Sequence, residues 1–306
     1  MFRRVRERLV HKLEKDGSGN PVNLVKEFRR SAAGQQQNKP SELRPPKICR
    51  QTAHYLLQHI LFKEGMNSTT YEFVFDRLRS IRQDLCVQGH CDIQESITVY
   101  QICVRFHLLA LYLFGSSQNQ FDMNFNFQQL LECLKELLKF YPSDYQDEDQ
   151  MEAYGIYLLI NLGDQSAINW GLNLPKKLRN HILIKTSIEL NWLYLQRNHV
   201  RFYRIFQQLP LLLKMAVFWN VPYITSQILN VMTTAYNRTK YPLKKLSKNI
   251  CVDENTIRSL CAQHNISTDI ESIQFSKKDF TVPQENLSWF DVPDIRNGEM
   301  NPFSIF

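Results

Sequence analysis

The spacing of apolar residues constrains the fold of this chain more than any other feature of its sequence. Between residues 70 and 85 apolar side chains recur every three or four positions, which is the spacing of one face of an α-helix. This stripe consists of Tyr71, Val74, Leu78, Ile81 and Leu85. The same periodicity predicts further helices at 45–63, 93–114, 125–141, 148–162, 175–197, 199–208, 210–219 and 222–238.

The connections between these segments are short, and the glycines and prolines of the chain cluster in them. Short connections make consecutive helices pack antiparallel. Only 10 Gly and 12 Pro occur in 306 residues, which argues against a β-sandwich with many turns. We therefore expect a mostly α fold, an α-solenoid of helical hairpins, although no strict sequence period is present.

Beyond the last of these helices the pattern changes. Residues 242–249 predict a short amphipathic helix, and Asp253 is a good cap for a second one. Apolar residues then alternate with polar ones at 273–275 and 280–282, around a turn at 277–279, which predicts a β-hairpin. Two helices and a hairpin within about 45 residues are the plan of a winged-helix module.

The sequence predicts four parts. Residues 1–44 are a basic N-terminal arm with short helices, at 1–15 and after Pro21, and 45–240 are the helical-repeat body. Residues 241–283 are the winged helix, and 284–306 are an extended C-terminal tail.

Positive charge is concentrated in two places. Residues 1–50 hold 13 Lys or Arg and 5 Asp or Glu, which is a net charge of +8. The other residues hold 24 and 25, a net charge of −1, so the first 50 residues account for the net +7 of the chain. A second cluster, Arg238 to Lys248, contains no acid. Segregated positive charge favours polyanions or acidic proteins as partners, and an ordinary solvated face remains the alternative.

The candidate nucleic-acid-binding residues lie in the predicted winged helix. Three are on its first helix, one is on the second and two are at the expected hairpin tip. They are Lys244, Lys245, Lys248, Arg258, Lys277 and Lys278. Together they are suited to contacts with a phosphate backbone. Specific base reading is not expected, because Asp253 and Glu254 open the helix that would enter a groove. Contact with protein alone remains open.

No catalytic motif is present: the sequence has no G-x-S-x-G, P-loop, G-x-G-x-x-G or H-E-x-x-H. Cys86, His90 and Cys91 fall one ligand short of a structural zinc site, as do Cys251, Cys261 and His264, and His54 and His59 lie on different sides of a helix. We therefore expect no enzyme activity, no cofactor and no metal. The odd number of cysteines and the basic, weakly apolar N-terminus predict reduced thiols in the nucleus or cytosol, and no membrane insertion is expected.

Several blocks of sequence resemble the Sac/GANP family, the Sac-three domain of mRNA-export scaffolds. They are Phe28–Gly34, Leu43–Pro46, Tyr71–Leu85, Val104–His107 and Asn198–Tyr203, and the likeness extends over residues 1–283. The arginines that match the family's signature are Arg29, Arg30, Arg44, Arg77, Arg79 and Arg82. The simpler interpretation of Arg77 and Arg82, which flank the apolar stripe, is that their guanidinium groups lie over the core edge and pair with carboxylates.

The resemblance implies the PCI arrangement and a scaffold without enzyme activity. It implies pairing with a second PCI-domain protein, a small acidic Dss/Sem-type subunit as a further partner, and RNA contact in nuclear mRNA export or processing. The chain is almost a bare domain, similar in this to short family members linked to centrosome duplication. The alternative is therefore a centrosome or spindle adaptor in mitotic progression that does not bind RNA. The expected location is the nucleus, with the cytoplasm and spindle pole as further sites.

Overall fold

The computed structural model describes residues 10–30, 40–114, 122–142, 147–218, 220–250, 252–281 and 302–306. It is mostly helical, with 69% helix and little sheet, as the periodicity predicted. Contacts divide the chain into two compact units, residues 1–110 with 120–140, and residues 111–119 with 141–306. The boundary falls within a helix of the predicted body rather than near residue 44 or 240, and the four-part organisation stays a prediction.

The helices of the first unit begin after the basic arm. They are α1 (Pro46–Tyr55), a π-helical segment (Leu56–Leu61), α2 (Phe62–Glu64), α3 (Ser68–Val87), α4 (Ile93–Phe114, which ends in the second unit) and α5 (Met123–Phe140). Pro46 opens α1, where its missing N–H costs no hydrogen bond. Asn67 caps α3 by accepting a bond from the N–H of Thr70 at 3.0 Å. The predicted apolar stripe of α3 is its buried face.

The arm does not contain the helix predicted after Pro21. Residues 21–30 are non-helical, with a single 3₁₀ turn upstream at Lys12–Glu14. The backbone N–H of Val25 donates to Glu14 Oε1 at 2.9 Å, and that of Phe28 donates to Asp76 Oδ2 at 3.2 Å. Carboxylates thus take the bonds that helix carbonyls would have accepted. The start of the predicted helix 1–15 lies outside the described residues.

The long helix α4 is apolar enough, by length and composition alone, to cross a membrane, with a mean hydropathy of 1.6 in its most apolar window. In the protein 72% of that window is buried, which is typical of a core helix. Its one histidine is satisfied: His107 Nδ1 lies 2.7 Å from Asn126 Oδ1, and the amide of Asn126 donates to the carbonyl of His107 at 3.0 Å. His107 is therefore a core residue, as its apolar surroundings predicted.

The second unit contains α6 (Glu148–Ile160), α7 (Gln165–Leu172), α8 (Lys176–Arg179), α9 (Ile182–Leu195), α10 (His199–Phe206), α11 (Leu211–Phe218) and α12 (Val221–Ala235). The prediction of one helix over 175–197 is wrong. The chain leaves the helical conformation at His181, whose ψ is 139°, so α8 and α9 are separate. Helix α7 was not predicted, although Asp164 caps it by accepting a bond from Ala167 N–H at 2.9 Å.

The last elements form a small antiparallel sheet with two helices. They are β1 (Lys240–Pro242), α13 (Leu243–Ile250), α14 (Glu254–Gln263), β2 (Ser267–Thr268) and β3 (Ser272–Gln274), and the strand order is β1-β3-β2. Ile273 pairs with Tyr241 on one side and with Thr268 on the other. The side chains of Ile273 and Phe275 are fully buried, as the alternation predicted.

The hairpin itself lies one strand earlier than predicted. Its turn is residues 269–271, between β2 and β3, and not 277–279. Phe280 is not in a strand, and its ring stacks on that of His264 with centroids 5.0 Å apart. Val282 lies outside the described residues.

Close helix packing in the second unit depends on small residues and on one buried amide. A Cβ on Gly155 of α6 would lie 3.0 Å from Leu213 of α11, so this glycine allows the two helices to approach. Asn191 of α9 donates to the carbonyl of Leu158 at 3.0 Å and accepts a bond from Gly163 N–H at 2.7 Å. The fully buried amide thereby joins α9 to the C-terminal end of α6.

Gly163→Ala is expected to destabilise the fold for two reasons. The residue has φ +83°, and an added Cβ would lie 2.5 Å from the Tyr194 ring. Gly89→Ala is the matched control, because Gly89 has φ +63° with open space around it. Left-handed backbone strain alone costs about 1–2 kcal/mol. We expect urea denaturation to show a larger loss for Gly163→Ala than for the control, and equal losses would contradict the contact with Tyr194.

Candidate nucleic-acid interface

Helix α13 is amphipathic. Leu243, Leu246 and Ile250 are buried, whereas Lys244, Lys245 and Lys248 are exposed. Lys245 Nζ lies 5.7 Å from the centroid of the Tyr241 ring. Within the described parts of the chain the lysines form no ion pair. Among the residues that the structure describes, no carboxylate pairs with these lysines, and exposed cations of this kind are suited to phosphate.

Arg258, the candidate on α14, has a structural role. Its guanidinium donates hydrogen bonds to the carbonyls of Asp269 and Ile270 at the hairpin tip. Lys240 holds the same tip through an ion pair with Asp269 at 2.8 Å, and this contact lowers the pKa of the Asp269 carboxyl. Arg258 and Lys240 therefore fix the hairpin.

Lys277 and Lys278 lie in a turn after β3, and not at the hairpin tip where the sequence placed them. Both are exposed. The backbone N–H of Lys277 donates to Asn237 Oδ1 at 3.0 Å, and that of Arg238 donates to the carbonyl of Phe275 at 2.8 Å. The structure thus brings the lysine turn next to Arg238 rather than to Arg258.

The N-terminal end of α14 is acidic. Asp253 accepts a hydrogen bond from Thr256 N–H at 3.0 Å, so its carboxylate is the helix cap that the sequence predicted. Glu254 follows in the first turn. Negative charge at this end opposes the entry of α14 into a nucleic-acid groove, which agrees with the expectation that bases are not read there.

The signature arginines of α3 are largely engaged within the protein. Arg77 is buried and pairs with Asp76, with Glu27 at 3.3 Å and with the buried Glu14 at 3.7 Å. Its guanidinium also lies 4.5 Å from the Phe73 ring. Arg77 therefore ties the arm to α3, as the core-edge interpretation predicted.

Arg79 and Arg82 contact uncharged side chains instead of carboxylates. The Arg79 guanidinium lies 4.0 Å from the centroid of Phe28 in the arm, and burial lowers the pKa of Arg79. Arg82 donates to Gln129 Oε1 at 2.6 Å, so it pairs with an amide and not with the carboxylate we expected. Arg29 and Arg30 are exposed.

Arg44 belongs to a buried ion cluster. Asp84, whose side chain is 1% exposed, accepts from Arg44 Nε and from Lys26 Nζ, each at 2.6 Å. The Arg44 Nη2 atom also donates to Ser80 Oγ at 2.8 Å. One carboxylate of α3 thus holds two basic residues that are 18 positions apart in the chain.

Two features escaped the sequence interpretation. One is a groove of about 550 Å³ in the first unit, lined by Lys12, Lys15, Lys63, Tyr55 and His59 among others. The second is Ile270, which is 87% exposed at the hairpin tip. The groove needs a three-dimensional arrangement to be seen, and Ile270 precedes the hairpin that the alternation at 273–275 and 280–282 predicts. Over the described ranges, no three His, Cys, Asp or Glu residues are placed to hold a metal ion.

A family model, the SAC3/GANP family, matches residues 1–270. The chain belongs to the SAC3/GANP family. It is 28% identical over 184 residues to SAC3 family protein 1 of Schizosaccharomyces pombe, covering 58% of this chain and 18% of that protein. Protein xmas of Drosophila melanogaster is 28% identical over 194 residues, covering 59% and 9%. SAC3 family protein B of Arabidopsis thaliana is 30% identical over 171 residues, covering 50% and 10%.

The matched segment is less than a fifth of each of these SAC3/GANP relatives. Membership confirms the resemblance drawn from the arginine-containing blocks. Arg44 and Arg77, which the resemblance assigns to the family signature, attach the start of α1 and the arm to α3. These two family-signature residues therefore stabilise the fold.

Asp84→Asn is expected to lower the free energy of unfolding by about 3 kcal/mol, because it leaves Lys26 and the largely buried Arg44 without their counter-charge. The control is Glu136→Gln, which removes an exposed pair with Lys139 and should cost less than about 0.5 kcal/mol. Urea denaturation followed by circular dichroism measures both losses. Similar small losses would mean that the buried cluster does not stabilise the arm.

His199, in the block Asn198–Tyr203, should make stability depend on pH. Burial, and secondly the charge of Arg197, lower its pKa from 6.5 to about 4, and both ring nitrogens lack a hydrogen-bond partner in the described chain. The unfolded chain therefore takes up the proton first. The stabilisation is complete above pH 6.5 and is lost as the pH falls towards 4.

Between about pH 7.5 and pH 5 this residue should remove about 2 kcal/mol from the free energy of unfolding. His199→Phe should show a smaller fall over that range, whatever its stability at neutral pH. The exposed His59 provides the control, His59→Ala, which should retain the full fall. An undiminished fall in His199→Phe would show that the ring is not held neutral.

Proposed function

We propose that this chain is a scaffold without enzyme activity, and that the β1–α13–α14–β2–β3 segment is a winged helix that pairs with another PCI-domain protein and contacts RNA. The setting is nuclear mRNA export or processing. Family membership supports a scaffold role. The observation that carries the RNA contact is the exposed face of α13, with Lys244, Lys245 and Lys248 unpaired in the described chain.

The order of elements supports the winged-helix assignment. Strand β1 precedes two helices, the hairpin β2–β3 follows them, and β3 lies between the other two strands. The N–H of Leu243 donates to the carbonyl of Glu271 at 2.9 Å, so the start of α13 is attached to the hairpin turn. Contact with α10 connects the module to the preceding helices. The β1–α13–α14–β2–β3 segment is thus well suited to present one rigid surface to a partner.

The hairpin tip supports protein pairing. Ile270 is 87% exposed, and its backbone is held by Arg258. An apolar side chain on a rigid support loses little conformational freedom when it enters a pocket of another protein. We assign this contact to the second PCI-domain protein. A small acidic Dss/Sem-type subunit is a further proposed partner, since exposed lysines such as Lys176, Lys177 and Lys185 form no ion pair with any described residue.

The alternative is a centrosome or spindle adaptor that binds protein only. Acids near the module favour it, because Glu271 in the hairpin turn and Glu254 at the start of α14 repel phosphate. In that case the lysines of α13 bind an acidic protein surface. Nuclear-rim signal in cells supports the export role, and spindle-pole signal supports the adaptor.

Charge reversal separates the two functions. The triple change Lys244→Glu, Lys245→Glu and Lys248→Glu should weaken binding to single-stranded RNA at least about tenfold, since like charges replace phosphate contacts. It should also make the slope of log affinity against log salt less negative by about 2. Fluorescence anisotropy over a series of salt concentrations measures both quantities.

The matched control reverses Lys176, Lys177 and Lys185, which are also exposed and lie on α8 and α9. It makes the same change in net charge and should leave the affinity nearly unchanged. If the α13 variant binds RNA like the original chain and still recovers its PCI partner after nuclease treatment, the RNA contact is wrong and the adaptor role is supported.

A further inference from the structure

The groove in the first unit offers a binding site away from α13. It is lined by the arm at residues 12–16 and 22–23, by the π-helical segment and α2, and by the first turn of α3. Its volume of about 550 Å³ lies within the ~300–1,000 Å³ of typical small-ligand pockets. A π-helical turn is uncommon and often marks a functional site. Here it carries His59 into the groove wall.

Three lysines line this groove together with the acids Glu14, Asp16 and Glu64. Lys12, Lys15 and Lys63 are exposed and form no ion pair within the described chain. Nearby acids are largely engaged elsewhere. Glu14 is buried and accepts from Val25 N–H, and Asp16 accepts from the N–H groups of Ser18 and Asn20 at 2.9 and 2.8 Å. Asp16, whose charge those bonds do not neutralise, and Glu64 remain as exposed acids, against three exposed lysines. The groove therefore favours an anionic ligand.

An aromatic pair lies beside the lysines. The rings of Tyr55 and His59 stack with centroids 5.2 Å apart and an angle of 28° between their planes. Tyr55 is half-buried and His59 is exposed, so the histidine ring is supported from one side. A planar base that stacks on such a ring gains energy whatever its sequence. The amide of Asn23, also on the groove wall, is exposed and has both donors and an acceptor for a base edge.

We propose that this groove binds a nucleotide of single-stranded RNA. The lysines contact phosphates, and His59, supported by Tyr55, stacks on a base. An acidic peptide satisfies the lysines equally well, but it leaves the stacked aromatic pair without a role. The site deepens the proposed function, on whose RNA contact it rests, because it adds a second contact in the other unit of the chain.

The test uses the full chain and a short fluorescein-labelled oligouridine. The triple change Lys12→Glu, Lys15→Glu and Lys63→Glu should weaken binding about tenfold and make the salt slope less negative by about 2. His59→Ala removes stacking only. It should weaken binding about fivefold or more and leave the salt slope unchanged. The control is the Lys176, Lys177 and Lys185 reversal, and circular dichroism checks that each variant is folded.

A covalent readout does not depend on variants. Oligouridine that contains 4-thiouridine should, on irradiation, crosslink to a peptide that includes Tyr55 or His59, as identified by mass spectrometry. Crosslinks confined to the second unit would overturn the groove site. Competition by an oligoglutamate peptide as strong as that by unlabelled RNA would assign the groove to an acidic protein segment, and equal competition by a free mononucleotide would assign it to a small molecule.

The outcomes distinguish this inference from the α13 contact. If the groove variant binds RNA normally and the α13 variant does not, the groove site is wrong and the proposed function stands. If only the groove variant is weakened, the groove site is supported and the α13 contact is wrong. If neither variant is weakened, both are wrong.

Discussion

The first unit depends on one buried carboxylate. Asp84 of α3 accepts from Lys26 of the arm and from Arg44 before α1, and its side chain is almost fully buried. A buried charge is costly unless it is paired, so this residue strongly favours the arrangement in which both cations reach it. The arm has no regular secondary structure over 21–30 and could not hold its position by backbone bonds alone. The ion pairs of Asp84 with Lys26 and Arg44 hold the arm in place of backbone hydrogen bonds.

Arg77 also holds the arm against α3 through ion pairs. Its three carboxylate partners lie on α3 itself and on the arm, and the buried Glu14 also accepts from Val25 N–H. Placed in this way, the arm leaves Lys12 and Lys15 beside the π-helical segment. Two of the groove lysines, Lys12 and Lys15, are therefore positioned by Arg77, which the resemblance assigns to the family signature. A family-signature residue that contacts no ligand can still shape a ligand site through the segment it holds.

The sequence predicted what depends on local periodicity. The stripe of α3, the bounds of α4 and the cap at Asp253 follow from helix spacing and capping chemistry, and the structure confirms them. It did not predict the arm, because the carboxylates that take its N–H groups are distant in the chain, as Asp76 is from Phe28. Break positions between helices were also missed where no glycine or proline marks them, as at His181.

The candidate site was predictable in its charges and not in its geometry. The exposed lysines of α13 follow from amphipathic spacing alone. The role of Arg258 did not, because its partners are backbone carbonyls of a turn that the alternation placed one strand later. Sequence patterns identify which residues are charged, but they do not show which of these residues form contacts within the protein and so cannot bind a partner.

The hairpin turn also makes the α13 surface uneven. The bond from Leu243 N–H to the carbonyl of Glu271 sets the acidic turn beside the start of the helix, next to Lys244. Lys248 lies one turn further along, in the last turn, where a cation also stabilises the helix dipole. A phosphate that approaches the N-terminal end meets Glu271 as well as Lys244, and at the other end it meets Lys248 without a neighbouring acid on α13. Asp253 and Glu254 at the start of α14 follow the C-terminal end of α13, so acids lie near both ends of the helix, and the proposed RNA contact depends on the exposed lysine face rather than on one end of it.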